Sequence, residues 1–176
     1  MRPAVVAPIV GIAIGGLMLS CGTPQETQQY GPLPDRNAFI QQGVSNFMEK
    51  RCGSLDCHGH IGRPLRIYSD WGLRYRSEND GKRVAGPTTE EEQIENYRSV
   101  IALEPDLLSD SVLTGGAYVD FQLIKKPLDI SGGGINHKGG PVIRVGDGDP
   151  GWRCLHGWIR GEPSKQKCDE AATIAP

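Results

Sequence analysis

The positions of five cysteines constrain this chain of 176 residues more than any other feature. The cysteines fall into two local pairs and one single residue: Cys52 with Cys57, Cys154 with Cys168, and Cys21. Glycine (24 residues) and proline (13 residues) make up about a fifth of the chain, which predicts many turns and loops. Because a chain of this length can bury one core but not two, we expect a single loop-rich domain.

The charge balance excludes one large class of partner. The chain has 19 lysines and arginines against 21 aspartates and glutamates, and aromatic residues make up only 6% of it. Nucleic-acid binding needs an excess of positive charge to neutralise phosphates and aromatic side chains to stack on bases. We therefore expect no nucleic-acid partner.

The N-terminal residues have the pattern of an export signal. Residues 1–20 place one arginine ahead of an uncharged run and end on Ser20, which is the order of charged, apolar and small residues in a secretory signal peptide. The uncharged run, residues 4–19, is shorter than the roughly 20 apolar residues that a transmembrane helix needs. We expect residues 1–20 to be absent from the mature protein.

The residues before Cys21 resemble the lipobox of bacterial lipoproteins, in which the cysteine carries lipid after cleavage. The matching stretch is Leu17-Met18-Leu19-Ser20-Cys21, with Met18 where leucine is usual. The resemblance implies a membrane anchor at Cys21 in the bacterial cell envelope, and Gly22 resembles the pattern of lipoproteins sent to the outer membrane, facing the periplasm. Residues 21–36 would form the lipidated N-terminus and a flexible tether. Ordinary cleavage, with Cys21 left as a free thiol, is the alternative.

Apolar residues at helical spacing predict a mainly α domain over residues 37–161. Between the helices we expect a loop-rich insert, with a short strand or extended segment at residues 64–68 and a glycine-rich loop at residues 131–140. The predicted helices are residues 36–51 with Asp35 as N-cap, a helix from a capping box at Thr88 or Thr89 to about Leu103, a turn at residues 106–113, and a last helix from Asp149-Pro150 to Gly161.

The number of cysteines predicts a disulfide near the C-terminus. If Cys21 carries lipid, an even set of four remains, and in an oxidising compartment each should be used by a disulfide, a metal or a covalent cofactor. Cys154 lies in the last predicted helix, Cys168 lies in the polar tail, and nothing between them suggests catalysis. We therefore predict that a Cys154–Cys168 disulfide pins the tail, residues 162–176, to the domain.

Cys52 and Cys57 differ from that pair, because His58 follows the second cysteine directly. In c-type haem attachment, two cysteines form thioethers with the haem vinyl groups and the adjacent histidine binds the iron. Four residues separate the cysteines here, where two are usual. We expect one covalent haem c per chain, bound by Cys52, Cys57 and His58.

Three other uses of these residues stay open at this point. Cys52 and Cys57 could form a small disulfide loop, with His58 and His60 exposed to solvent. The same four side chains could bind zinc. Because they fall within nine consecutive residues, they would reach tetrahedral coordination only with strain. The thiols could also form a redox-active dithiol, but the spacing differs from the thioredoxin type.

Residues 37–161 as a whole resemble a small cytochrome c domain, including the planctomycete-type domains. The resemblance rests on a first helix leading into Cys57-His58-Gly59 and on a last helix that carries Trp158. Segments 123–127 and 137–140 resemble the lysine-proline and histidine-glycine segments of those domains. The resemblance implies an electron carrier that exchanges electrons with a redox partner protein, whose identity the sequence does not reveal.

The sixth iron ligand departs from the usual pattern, because no methionine follows His58 in the sequence. Met48 precedes the cysteines, His60 is too close to His58, and His156 lies in the last predicted helix. His137, in the glycine-rich loop, is the candidate for a second axial ligand. The alternatives are an empty site or one held by Lys125, Lys126 or water.

These residues together predict a lipid-anchored cytochrome c-like protein outside the cytoplasm. A small domain with one haem and no evident substrate site favours an electron carrier over a catalyst. The alternative is a haem-free structural lipoprotein of the cell envelope that is stabilised by disulfides.

Overall fold

Two short helices open the domain where the sequence predicts one. A computed structural model of the chain describes residues 31–115, 120–144 and 148–174. Helix α1 (Arg36–Gln41) begins at the predicted N-cap, where the Asp35 side chain accepts a hydrogen bond from the Ala38 N–H. Gly43 then has a φ of 79°, in the left-handed region, and α2 (Val44–Cys52) begins after it. The prediction of one continuous helix over residues 36–51 is wrong, because Gly43 turns the chain between two helices.

The predicted export signal and Cys21 lie outside the described residues, as does most of the predicted tether at residues 21–36. None of the helices in the described part of the chain combines the length and the apolar character that a membrane span requires.

Five further helices follow in the described residues, and the domain is mainly α. Helix α3 (Glu90–Ile101) starts at a capping box in which Thr89 and Glu92 hydrogen-bond each other's backbone N–H groups. At the start of α6 (Pro150–Ile159), the Asp149 side chain acts as N-cap by accepting from the Trp152 N–H. The remaining helices are α4 (Pro105–Thr114), α5 (Gln122–Lys125), α6 (Pro150–Ile159) and α7 (Lys165–Thr173), with a 3₁₀ turn at Ile130–Gly132.

One polar face of α3 holds residues 64–75, a part of the chain between α2 and α3 that is here called segment 64–75. Glu92, Asn96 and Ser99 lie on that face at helical spacing. Each accepts a hydrogen bond from a backbone N–H of segment 64–75, at 2.7 Å from Tyr75, 2.6 Å from Tyr68 and 2.9 Å from Arg66. Of the two forms expected at residues 64–68, a short strand or an extended segment, the strand is not formed, because helix side chains take the place of a partner strand. Among the described residues, segment 64–75 contains only the isolated bridge between Tyr68 and Leu73.

The core lies where α6 crosses α1. The rings of Trp158 on α6 and Phe39 on α1 have centres 5.0 Å apart, and Tyr97 from α3 packs edge-on against both. The Trp158 indole N–H donates to the Asp35 carbonyl at 2.8 Å, so its polar atom is satisfied at the end of the buried ring. Other buried apolar side chains in this core include Val44, Phe47, Met48, Ile67, Val100, Leu108, Ile124, Leu128, Ile143, Leu155 and Ile159.

The C-terminal tail is a helix and not the polar extension that the sequence predicts. Ser164 caps α7 by accepting from the Lys167 N–H, and Cys168 and Ala171 are buried three residues apart on its inner face. Helix α7 packs against α6 and α2, and a disulfide joins Cys168 to Cys154. The disulfide therefore pins the tail to α6, and packing holds it against α2.

Removal of this disulfide should destabilise the domain. The bond closes a loop with a sequence separation of 14 residues, for which chain entropy predicts about 3 kcal/mol. We expect the double variant Cys154→Ala/Cys168→Ala to lose about that free energy of unfolding in urea. Lys165→Ala is the control on α7, because it removes only an exposed ion pair with Asp169. Equal stability of the double variant and the control would contradict the prediction.

Candidate functional site

A central pocket of about 300 Å³ lies between α2, the start of segment 64–75, α5 and the chain that leads into α6. Its size is at the lower end of the range for small-molecule sites. Cys52, Cys57, His58 and His137 all line it, so the structure brings together every residue predicted to hold a haem. The apolar lining consists of Phe47, Met48, Pro64, Leu65, Leu103, Leu123, Pro127, Val142, Ile143 and Leu155.

The residues from Cys52 to His60, here called the cysteine loop, fold back to the end of α2. Cys52 is the last residue of α2, and its carbonyl accepts from the His58 N–H at 2.9 Å. The Gly59 N–H donates to the Ser54 carbonyl at 2.8 Å, which closes the turn between the cysteines. Arg63 fixes the far side of the loop by donating to the carbonyls of Asp56 and Cys57.

Both thiols in the pocket are free. Cys52 and Cys57 are partly exposed and are not joined by a disulfide. Burial and, to a smaller extent, the neighbouring Cys57 raise the pKa of the Cys52 thiol to about 12, against a lowering effect of Arg51. Cys52 is therefore a protonated thiol at neutral pH. A redox-active dithiol needs a lowered thiol pKa, so this environment does not favour that alternative.

His58 is oriented by the backbone of segment 64–75. Its Nδ1 lies 3.0 Å from the Leu65 carbonyl oxygen, and because a carbonyl can only accept, Nδ1 carries the proton. Burial lowers the pKa of His58, and the nearby His137, Arg63 and Lys126 lower it further against the effect of the Leu65 carbonyl. The imidazole is therefore neutral at pH 7, with Nε2 available to bind a metal.

His137 reaches the pocket on the loop that follows the 3₁₀ turn. Its ring centre is 5.9 Å from that of His58, and the two ring planes differ by only 11°. Its Nδ1 lies 3.3 Å from the Gly140 carbonyl oxygen, at the position of a turn where Gly140 has a φ of 75°. The two histidines thus use Nδ1 in the same way and keep Nε2 available.

The other histidines lie elsewhere. His60 is exposed, its Nδ1 accepts from the Gly62 N–H, and it faces a surface groove beside Lys138. His156 on α6 stacks on the Trp152 ring, with centres 5.3 Å apart. Neither lines the central pocket.

The competing candidates for a sixth ligand are also placed by the structure. Lys125 forms an ion pair with Asp120 at 2.7 Å, whereas Lys126 lines the central pocket. Met48 is not among the predicted ligands, because it precedes the cysteines in the sequence. In the structure it lies on α2, buried in the pocket wall. Its helical spacing from Cys52 was the signal that could have placed it there.

The structure does not assemble the four ligands of the zinc alternative. Among the residues described, no three histidine, cysteine, aspartate or glutamate side chains form a group that could hold a metal ion. His60 turns to the surface groove and away from Cys52, Cys57 and His58. A haem iron differs from zinc in this respect, because four of its ligands come from the porphyrin and the protein supplies only axial ligands.

Two charged side chains line the central pocket, and both are cations. Arg51 precedes Cys52 on α2, and Lys126 follows α5 across the pocket. No carboxylate belongs to the lining described for this pocket. The pocket therefore combines apolar walls with positive charge, which suits an amphipathic ligand that carries carboxylates.

Comparison with other proteins adds no assignment to this geometry. No protein-family model, curated protein or solved structure matches this chain. A function must therefore be inferred from the residues of the central pocket.

Proposed function

We propose that this protein binds one covalent haem through Cys52 and Cys57, with His58 and His137 as axial ligands, and carries electrons outside the cytoplasm. The observation that supports this most directly is the pair of near-parallel imidazoles, 5.9 Å apart, in the same pocket as two free cysteines.

The separation of the two histidine rings and the contacts of their Nδ1 atoms support one shared metal. Two metal–nitrogen bonds of about 2 Å each would span most of the distance between the ring centres. Metal-binding histidines usually donate their second ring N–H to a carbonyl or carboxylate, which fixes the tautomer. His58 and His137 have this arrangement with Leu65 and Gly140.

The lining of the central pocket fits the rest of a haem. The macrocycle is apolar and would contact side chains such as Phe47, Leu123 and Leu155. The two propionates are anionic, and Arg51 and Lys126 are the cations within reach of the pocket. Because the volume of about 300 Å³ is small, we expect one edge of the ligand to stay in contact with solvent.

The two free thiols suit thioether formation. Each cysteine S–H would add across one haem vinyl group, so that sulfur bonds one vinyl carbon, hydrogen bonds the other, and no oxidant is consumed. Once bound, haem supplies an iron that cycles between its ferrous and ferric states. The chain itself holds the two imidazoles aligned, with the ring planes 11° apart and each Nδ1 beside a backbone carbonyl.

Two histidine ligands favour electron transfer over catalysis. With both axial positions taken, no open coordination position is left for a substrate. Covalent attachment also keeps the cofactor from being lost outside the cytoplasm. The redox partner protein would meet the solvent-exposed edge of the pocket.

The decisive measurement is the intact mass of the mature protein made together with a haem-maturation system. We expect the polypeptide mass plus one haem that acid acetone does not extract. Cys57→Ala should reduce covalent retention sharply, and Cys52→Ala/Cys57→Ala should abolish it, because no thioether can then form. His60→Ala is the matched control and should keep its haem, since His60 lies outside the central pocket.

A wild-type mass without haem would overturn this proposal. If that mass also showed Cys52 and Cys57 linked, the result would support the haem-free structural lipoprotein, in which disulfides alone stabilise the domain.

A lipid anchor at Cys21 is a separate part of the proposal, supported by the lipobox-like residues before it. Several acyl chains, at roughly 0.8 kcal/mol per buried CH₂, would hold the protein on a membrane. Cys21→Ser should convert a membrane-bound protein into an uncleaved precursor or a soluble one, as detected by detergent phase partitioning and mass. Wild-type protein in the aqueous phase would restore ordinary signal cleavage.

A further inference from the structure

The carbonyl of Gly53, the first residue after Cys52, is the point at which segment 64–75 meets the cysteine loop. The Ser69 hydroxyl, which is fully buried, donates to this carbonyl at 2.5 Å. Ser69 also begins a tight turn, because its own carbonyl accepts from the Gly72 N–H at 3.1 Å. The turn Ser69–Gly72 therefore packs directly on the spacer between the two cysteines.

Glycines make this close approach possible. A Cβ atom added to Gly72 would lie 1.9 Å from the Gly53 oxygen, and one added to Gly59 would lie 2.0 Å from the same oxygen. Such distances are far below any real contact of a Cβ atom. Three backbone segments thus meet at one carbonyl, and a side chain at Gly59 or Gly72 would separate them.

The segment that supplies the turn is itself fixed on both sides. On one side, the Asn96 side chain both accepts from and donates to the backbone of Tyr68, at 2.6 and 3.0 Å. On the other side, the Ile67 N–H donates to the His58 carbonyl at 2.8 Å. Helix α3 therefore fixes the turn Ser69–Gly72. That turn in its turn fixes the cysteine loop, which carries Cys57 and His58.

We propose that the Ser69 hydroxyl and the Gly72 backbone are positioning groups for haem attachment, holding the four-residue spacer so that both cysteines and His58 face one pocket. The inference rests on the proposed function, since it concerns how that haem is attached. The usual spacer has two residues and so leaves the chain little freedom. Two additional residues add four soft backbone dihedrals, and contacts from segment 64–75 restrict them.

Ser69→Ala tests this role, with Ser45→Ala as the matched control. Both serines are fully buried and each donates one hydrogen bond, but Ser45 donates to the Glu49 side chain within α2 and not to the cysteine loop. In the full chain made without haem, hydrogen exchange at the His58 and Gly59 amides should rise roughly five- to tenfold in Ser69→Ala, as expected for one lost buried hydrogen bond. The control should leave these two amides at the wild-type rate relative to the rest of the chain.

The attached form gives a second readout that a purely structural role would not change. After maturation, denatured protein is treated with iodoacetamide, which labels any thiol that has not formed a thioether. We expect wild type and Ser45→Ala to carry haem without label. In Ser69→Ala, the fraction of chains that carry both haem and one label should be several-fold larger than in wild type. Gly72→Ala should show the same defect more strongly, while Gly148→Ala, where an added methyl meets no atom within 4 Å, should not.

The outcomes separate this role from the proposed function. Wild-type protein without haem would overturn the proposed function and, with it, any role in attachment. Wild-type protein with haem, together with unlabelled Ser69→Ala and unchanged exchange at His58 and Gly59, would overturn only the role of the Ser69–Gly72 turn.

Discussion

Replacement of Arg74 with methionine is expected to lower the free energy of unfolding by about 3–5 kcal/mol at neutral pH. Arg74 and Glu92 form an ion pair in which the side chains are only 4% and 0% exposed. The guanidinium also donates to the carbonyls of Gly86 and Pro87. Methionine fills a similar volume but leaves a buried carboxylate without its cation, which is the costly way to break such a pair.

The loss in Arg74→Met should depend on pH. Burial raises the pKa of Glu92, but hydrogen bonds from Arg74 and from the Thr89 and Tyr75 N–H groups outweigh burial and hold that pKa below its usual value. In wild type, Glu92 therefore stabilises the fold above its unfolded pKa, and that stabilisation is lost as pH falls through its folded pKa. Without Arg74, burial dominates and acid protonates the carboxyl readily. The difference in the free energy of unfolding between Arg74→Met and wild type should be largest above about pH 5 and should decrease toward pH 3.

Urea unfolding at several pH values measures this difference. Arg98→Met is the matched control, because it breaks an exposed pair with Glu95 on the same helix and should cost at most about 1 kcal/mol at any pH. A difference for Arg74→Met that stays constant from pH 7 to pH 3 would show that lost packing, and not the unpaired carboxylate, causes the destabilisation.

Local chemistry made part of this fold predictable. Asp35 and Asp149 cap helices as predicted, and Thr89, one of two predicted candidates, caps α3, because a cap needs only a side-chain oxygen and the N–H groups two or three residues later. Glu92 shows the limit of such reasoning. The sequence marks it as half of a capping box, whereas its pairing with Arg74 and with the Tyr75 N–H depends on how segment 64–75 crosses α3.

Elements that depend on distant contacts were not predictable. Helix α7 has a polar composition with few apolar residues, and it is stabilised by packing on α2 and α6 and by the disulfide at Cys168. At the break between α1 and α2, Gly43 lies close to α7, since a Cβ there would lie 3.3 Å from that of Cys168. Neither arrangement leaves a periodic signal in the sequence.

The candidate site likewise contains some residues that the sequence could predict and others that only distant contacts bring together. Adjacency in sequence was enough to group Cys57 with His58, because the chemistry of attachment itself requires neighbours. His137 emerged only by elimination among the histidines, and the structure places its ring beside that of His58. Ser69 and Gly72 carried no signal, because their role depends on one backbone carbonyl that meets them in space.

His137→Ala should change the iron of the haem-bound protein from low-spin to high-spin. Two imidazole ligands give a low-spin iron that resists carbon monoxide and lacks a methionine-to-iron charge-transfer band. Removal of His137 opens one axial position, so carbon monoxide should then bind. The covalent haem should stay in place, because its thioethers come from Cys52 and Cys57. Visible and near-infrared spectra, with and without carbon monoxide, give the answer.

His60→Ala is the matched control for this variant, since His60 is exposed and faces a different groove. Its spectrum should equal that of wild type. His137→Met adds a sharper test, because a thioether ligand raises the reduction potential relative to a second imidazole and introduces the missing charge-transfer band. An unchanged spectrum in His137→Ala would show that His137 is not a ligand. The sixth position would then belong to Lys126 or Met48, the other donors in the pocket wall, or to water.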